Sequence, residues 1–152
     1  MIRLDDIRRP VEPQLASYEE FVARYFTAEG ELLSEMLRHA LSSRGKGIRP
    51  LLVMLSAAMN AANPAAASGR RPALAALLVE MIHLSSLIHD DVIDEADTRR
   101  GRPSANALWQ SHKAVLLGDY ILSRALNIGL ESGQFDLVTH VCGTVTSLCE
   151  GE

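Results

Sequence analysis

From Leu74 to Ile88 the chain is almost continuously apolar, broken by Glu80 and His83, and it runs directly into His89, Asp90, Asp91 and Asp94. Pro72 stands where a first helical turn tolerates a residue without an amide proton, so the pattern predicts one helix from Pro72 to about Asp94. The polar interruptions argue against a transmembrane segment, which takes about 20 predominantly apolar residues. The fold must therefore bury this helix and also accommodate three carboxylates at its end.

The neighbouring segments share the helical period. Residues 14–26 and 31–42 place apolar side chains three and four apart, as in Leu32, Leu33, Met36, Leu37 and Leu41. "SSRGKGIRP" interrupts the pattern, and Pro50 suits the first turn of a helix that continues through "LLVMLSAAMNAA". "NPAAASGRRP" and "EADTRRGRPSAN" read as loops, and further helices are predicted over 111–130 and 135–149. No stretch alternates as a strand would. With 47% hydrophobic residues but only three Phe, three Tyr and one Trp, the core draws on Leu, Ala, Val, Ile and Met, and most of these favour helices. An all-α fold in a single helical domain, 1–152, is expected.

A net charge of −4 excludes a general nucleic-acid binder, which needs a positive face, while leaving room for a local basic pocket. Cys142 and Cys149 lie seven apart on one predicted helix, too far along it for a mutual disulfide, and are expected to be reduced core residues in a cytoplasmic protein. Met36, Met54, Met59 and Met81 read as packing residues, and Trp109 and Tyr120 as core or interface. Asp119 is expected to cap, or to pair with a neighbour such as Arg124.

If the helix to Asp94 is unbroken, His83, Asp90 and Asp94 project from one face, whereas Asp91 points elsewhere. Two carboxylates four residues apart repel each other and favour a cation between them. Oxygen ligands of this kind suit Mg²⁺, which takes one or two carboxylates and completes its shell with water and phosphate oxygens. Arg99, Arg100 and Arg102 follow closely, and Lys46 and Arg49 precede another helix. Arginine grips phosphate oxygens bidentately and lysine neutralises them as a point charge. The pattern points to a phosphorylated ligand held through metal and basic side chains together.

"GKGIRP", "EMIHLSSLIHDDVIDEADTRRGRPSAN" and "AVLLGDYILSRAL" resemble, in order and spacing, successive signatures of the trans-isoprenyl (polyprenyl) diphosphate synthases: a GKxxRP motif, the first aspartate-rich DDxxD motif with its trailing RRG, and the GD-containing helix that follows. The resemblance implies an antiparallel helix bundle of the isoprenoid synthase type around a deep cavity. It also implies that Asp90 and Asp94 bind Mg²⁺ bridging the diphosphate of an allylic prenyl diphosphate held by Arg99. Lys46, Arg49, His83 and Arg100 would hold isopentenyl diphosphate. The implied reaction ionises the allylic diphosphate and joins the cation to the isopentenyl double bond. Ser85 and Ser86, one turn before the aspartates, would leave room for a medium or long polyprenyl product.

The family pattern continues to a second aspartate-rich motif that is missing from these 152 residues. The chain thus corresponds to the N-terminal half of such a fold. Because it starts at Met1 and its last helix looks complete, the expectation is one subunit of a split synthase whose partner supplies the second motif. A homo-oligomer, a non-catalytic regulatory subunit and a truncated fragment are the alternatives. A helical His-Asp metal-dependent phosphohydrolase built on His89 and Asp90 is the competing enzyme class.

Overall fold

The computed structural model describes residues 2–63 and 67–151, so the middle of the predicted loop, 64–66, lies outside the described residues. The described residues are all-α apart from one minimal hairpin, and the chain divides into two compact units.

The first unit comprises Met1–Tyr25, Ile48–Val79 and Leu126–Glu152. It opens with α1 (Leu4–Arg8), whose start is closed by the Asp6 carboxylate accepting from the Arg3 amide at 3.0 Å. A 3-10 turn (Arg9–Val11) carries Pro10 at its start and leads into α2 (Glu12–Tyr25). Neither α1 nor the turn shows a clear apolar period, and both were absent from the predicted elements. Next, after α3 (Glu31–Ser42) of the second unit, comes α4 (Ile48–Asn60). The unit also holds the first part of α5 (Arg70–Ile93), the end of α7 (Ser111–Glu131) and all of α8 (Phe135–Glu150). Val11, Tyr18, Val22, Leu51, Met54, Leu74, Leu77, Leu78 and Ile128 form its core. The Arg71 guanidinium, bound to the Asp136 carboxylate, ties the start of α5 to that of α8.

Two expectations fail in this unit. Cys142 and Cys149 are exposed rather than core, because α8 buries none of its residues. Met59 is 85% exposed at the end of α4 and packs nothing, although Met36, Met54 and Met81 are buried as expected.

The second unit comprises Phe26–Gly47 and Glu80–Ala125. It contains α3 (Glu31–Ser42), the carboxyl end of α5, strands β1 (Thr98–Arg99) and β2 (Arg102–Pro103), α6 (Ala105–Trp109) and most of α7. Ala114, Leu117, Ile121 and Ala125 make a three-and-four stripe along α7, all buried. They share a core with Met36, Leu37, Ala40, Met81, Leu84 and Ile88. Here α5 and α7 approach closely. Buried Ser85 donates to the Gly118 carbonyl at 2.9 Å, and a Cβ on Gly118 would stand 2.6 Å from Cδ2 of His89. The glycine of "LLGDYI" is thus required by the ring packed on it.

By length and composition α5 could cross a membrane, but 56% of its most apolar stretch is buried inside the protein. It serves as a core helix.

The segment predicted as a plain loop, 95–106, is built. After α5 the Ala96 amide donates to the Asp91 carbonyl (2.9 Å) and the Glu95 amide to Val92 (3.3 Å), with Glu95 at φ 51°. This is a Schellman-type stop in which Glu takes the left-handed position usually given to glycine. β1 and β2 pair antiparallel, Arg99 opposite Arg102, across Arg100 and Gly101, both at positive φ (53° and 76°), the pattern of a type I′ turn. Buried Ser104 closes the segment by donating to the Ala96 carbonyl (2.6 Å) and accepting from the Ala107 amide (3.0 Å) as the N-cap of α6. Ser104→Ala removes both bonds and leaves the Ala96 carbonyl without this donor. We expect it to lower stability by about 1–2 kcal/mol, read as a fall in the urea midpoint with an unchanged slope.

Candidate diphosphate site

The site is assembled at the carboxyl end of α5. The Asp94 amide donates to the Asp90 carbonyl at 2.8 Å, so the helical register persists to Asp94 and both carboxylates lie on one side, one turn apart. Both are exposed, whereas Asp91, a step round the helix, is buried at 4%. The three acids therefore divide in two. Asp90 and Asp94 offer open oxygen ligands, and Asp91 faces Leu84, Leu87, Ile88 and Ala105 around a void of about 30 Å³, room enough for a water molecule.

Asp91 is paired in that apolar setting. Its Oδ1 accepts from Arg99 Nε at 2.8 Å and also from Arg99 Nη2. The Arg99 guanidinium is held above its ordinary pKa first by this hydrogen bond, against the opposing effect of burial; the charges of Asp91, Asp90 and Asp94 add to it. Arg99 therefore lies in the field of the open carboxylate pair, and the hairpin delivers it there.

Arg100, in the left-handed position of the turn, donates from Nη1 to the Ser43 carbonyl at 2.9 Å. Its guanidinium crosses Gly45, where a Cβ would fall on the guanidinium itself. Gly45 and Gly47 flank Lys46 and both have positive φ, 82° and 60°. Arg102 donates to the Ser42 hydroxyl at 3.0 Å, and His39 bonds the Pro103 carbonyl at 3.0 Å. The "GKG" loop, the arginine hairpin and the acidic helix end thus form one assembly within the second unit. Arg49 belongs to the first unit, exposed in the first turn of α4.

His83 is half-buried on α5, and its carbonyl accepts from the Ser86 hydroxyl at 2.9 Å. Ser85, in contrast, is committed to Gly118. His89 Nε2 lies 3.3 Å from both the Val115 carbonyl and Asp119 Oδ1, so exposed Asp119 pairs with His89. Trp109 meets His39 edge to face, and Tyr120 donates to the Thr27 carbonyl at 2.6 Å.

Helical spacing turned Asp91 away from the other two aspartates but gave it no role, and Gly45 was not singled out in the sequence. The pairing of Asp91 with Arg99 spans eight residues and a reversed chain, a separation that no helical period marks. Gly45 was visible as part of a turn, but its contact with Arg100 joins residues 55 apart in sequence.

Among the described residues no group of three or more His, Cys, Asp or Glu could hold a metal ion. The His-Asp hydrolase reading, which requires such a set, has no support there. Two open carboxylates do fit an ion that takes the rest of its shell from water and phosphate oxygens.

Residues 30–152 match the family model described as polyprenyl synthetase. The heptaprenyl diphosphate synthase component 2 of Geobacillus stearothermophilus is 38% identical over 138 residues, 91% of this chain and 42% of that protein. A decaprenyl diphosphate synthase structure from Rhodobacter capsulatus superposes with TM-score 0.84 at 29% identity, covering 97% of this chain and 44% of that one. A polyprenyl synthase from Caulobacter crescentus CB15, complexed with calcium and isoprenyl diphosphate, gives TM-score 0.73 at 28% identity, covering 86% of this chain and 38% of that one. The chain spans less than half the length of the curated relatives it matches.

Proposed function

The chain belongs to the polyprenyl synthetase family, and we propose that it carries the first half of the site of a trans-polyprenyl diphosphate synthase, joining isopentenyl diphosphate to an allylic prenyl diphosphate. The observation that carries this reading is the exposed pair Asp90 and Asp94 acting on Arg99, with Arg100 seated against the loop that bears Lys46.

In this reading Asp90 and Asp94 would hold Mg²⁺ through their carboxylates, and the ion would supply positive charge for the leaving diphosphate. The Caulobacter relative's complex with calcium and isoprenyl diphosphate supports a divalent cation beside such a ligand. Arg99 grips the same diphosphate through two parallel N–H bonds and stabilises the negative charge that develops as the C–O bond breaks. Lys46, Arg100 and His83, with Arg49 by its place in the "GKGIRP" motif, hold the second diphosphate. Two exposed, unpaired thiols suit a reducing, cytoplasmic setting.

Two carboxylates make half a site. The second aspartate-rich set is supplied from outside these 152 residues, and a partner chain in a heteromer is the source this reading takes; the name "component 2" of the Geobacillus relative, of which this chain spans 42%, supports a synthase built from components. The test is prenyl transfer from an allylic primer to radiolabelled isopentenyl diphosphate with Mg²⁺, with and without a companion bearing another DDxxD. Transfer only in the mixture supports the reading; no transfer in either arm refutes it.

Product length follows from the turn before the aspartates. Ser85 is used up in packing on Gly118, so the growing tail passes Ser86, which is half-buried and bonded only within its own helix. Ser86→Phe in the active assembly is expected to shorten the product by at least one five-carbon unit on reversed-phase chromatography. An unchanged product distribution would rule out this assignment.

A further inference from the structure

Asp91 sits in the middle of the acidic cluster and has no part in the two-carboxylate metal reading. Its side chain is 6% exposed, one step round α5 from the open pair, and a carboxylate so placed needs a permanent partner. Arg99 is that partner, and the contact has a specific form. Arg99 Nε and Nη2, the two nitrogens of one edge of the guanidinium, both donate to the same oxygen, Oδ1. Five N–H donors minus these two leaves three, on Nη1 and the outer position of Nη2. Two of those three, one on each Nη, form the end fork, whose parallel donors match two oxygens of a phosphate. The Arg99 side chain is 34% exposed, so part of it reaches solvent while its inner edge is anchored. The anchor is itself fixed, because the Asp91 carbonyl accepts the Ala96 amide that closes α5.

Resting on the prenyl-transfer reading above, we infer that Asp91 is a positioning residue: it binds no metal and no substrate, and it clamps the inner edge of Arg99 so that the end fork is already aimed at the allylic diphosphate. The acidic motif then contains two kinds of aspartate, an open pair for the cation and a buried one for the arginine. A long, flexible side chain loses less freedom on binding when it is held beforehand.

The test is a double-mutant cycle on the full chain, with Mg²⁺ and inorganic pyrophosphate as the probe in isothermal titration. Asp91→Asn is expected to weaken pyrophosphate binding about tenfold and Arg99→Ala at least as much, while the double variant binds no more weakly than Arg99→Ala alone. Independently, the ¹⁵N-labelled Arg99 Nε–H is expected to exchange slowly with water in the wild type and rapidly in Asp91→Asn. If Asp91→Asn does not fold, Asp91→Glu, which keeps the charge and moves the carboxylate by one methylene, replaces it in the same cycle. Losses that add in the double variant, or an Arg99 signal unmoved by either change at Asp91, overturn the positioning role while leaving prenyl transfer standing. A wild type that binds no Mg²⁺-pyrophosphate overturns the prenyl-transfer reading and this one with it, even if the exchange measurement still detects the Asp91–Arg99 clamp.

Discussion

Replacing Asp90 and Asp94 together with alanine is expected to lower prenyl transfer by at least about 10³-fold in the complete assembly, the scale of several kcal/mol of lost charge stabilisation. The fold should barely respond. Both side chains are exposed, and among the described groups they are the acids that stand open beside Arg99. Removing them relieves mutual repulsion and leaves the backbone bond from Asp94 to Asp90 in place, so stability should stay within about 0.5 kcal/mol of wild type. Arg99 keeps its partner, Asp91. The measurement is initial rate against Mg²⁺ concentration, with a urea melt alongside. An assembly that keeps full activity without either carboxylate would reduce this chain to a regulatory subunit.

The second large effect is expected at Gly45. At φ 82° an L-residue costs about 1–2 kcal/mol, and here the new methyl would also meet the Arg100 guanidinium, lying 2.5 Å from Cζ. Gly45→Ala should therefore destabilise the second unit and also evict Arg100 from its seat. Gly101→Ala separates these effects: its φ is 76°, but a Cβ there meets nothing within 4 Å. Both variants should lower the urea midpoint. Only Gly45→Ala should also raise the KM for isopentenyl diphosphate, by about tenfold, equivalent to about 1.4 kcal/mol, with the KM for the allylic primer little changed. Equal effects of the two variants on that KM would show that Arg100 holds no diphosphate.

Much of this was legible in the sequence because it is local. Residues 31–42 were predicted as a helix and form α3 with those bounds; α5, α7 and α8 came within two residues at each end. Each carries a sustained apolar period, which reports the buried face directly. The spacing of Asp90 and Asp94 likewise fixes their common side, since a helix repeats every 3.6 residues whatever surrounds it. The α-helices that escaped prediction, α1 and α6, are five residues each, and the 3-10 turn and the two hairpin strands are shorter still, too short to show a period. The cysteines were misplaced for the opposite reason. The period of α8 is real, but its apolar face is left open, and a sequence pattern marks which face seeks cover without supplying the cover.

The sequence by itself determined that this chain is helical, that α5 ends in a pair of carboxylates on one face, and that basic residues follow in an order shared with the polyprenyl synthetases. Only the tertiary structure decided that Asp91 is buried on Arg99, that Arg100 rests on Gly45, and that Ser85 belongs to packing while Ser86 stays on its own helix turn. Backbone periodicity is encoded by neighbours three and four apart. A salt bridge across a hairpin, or a guanidinium lying over a glycine, depends on where a folded chain returns to itself, and that is set by the summed packing of all its helices.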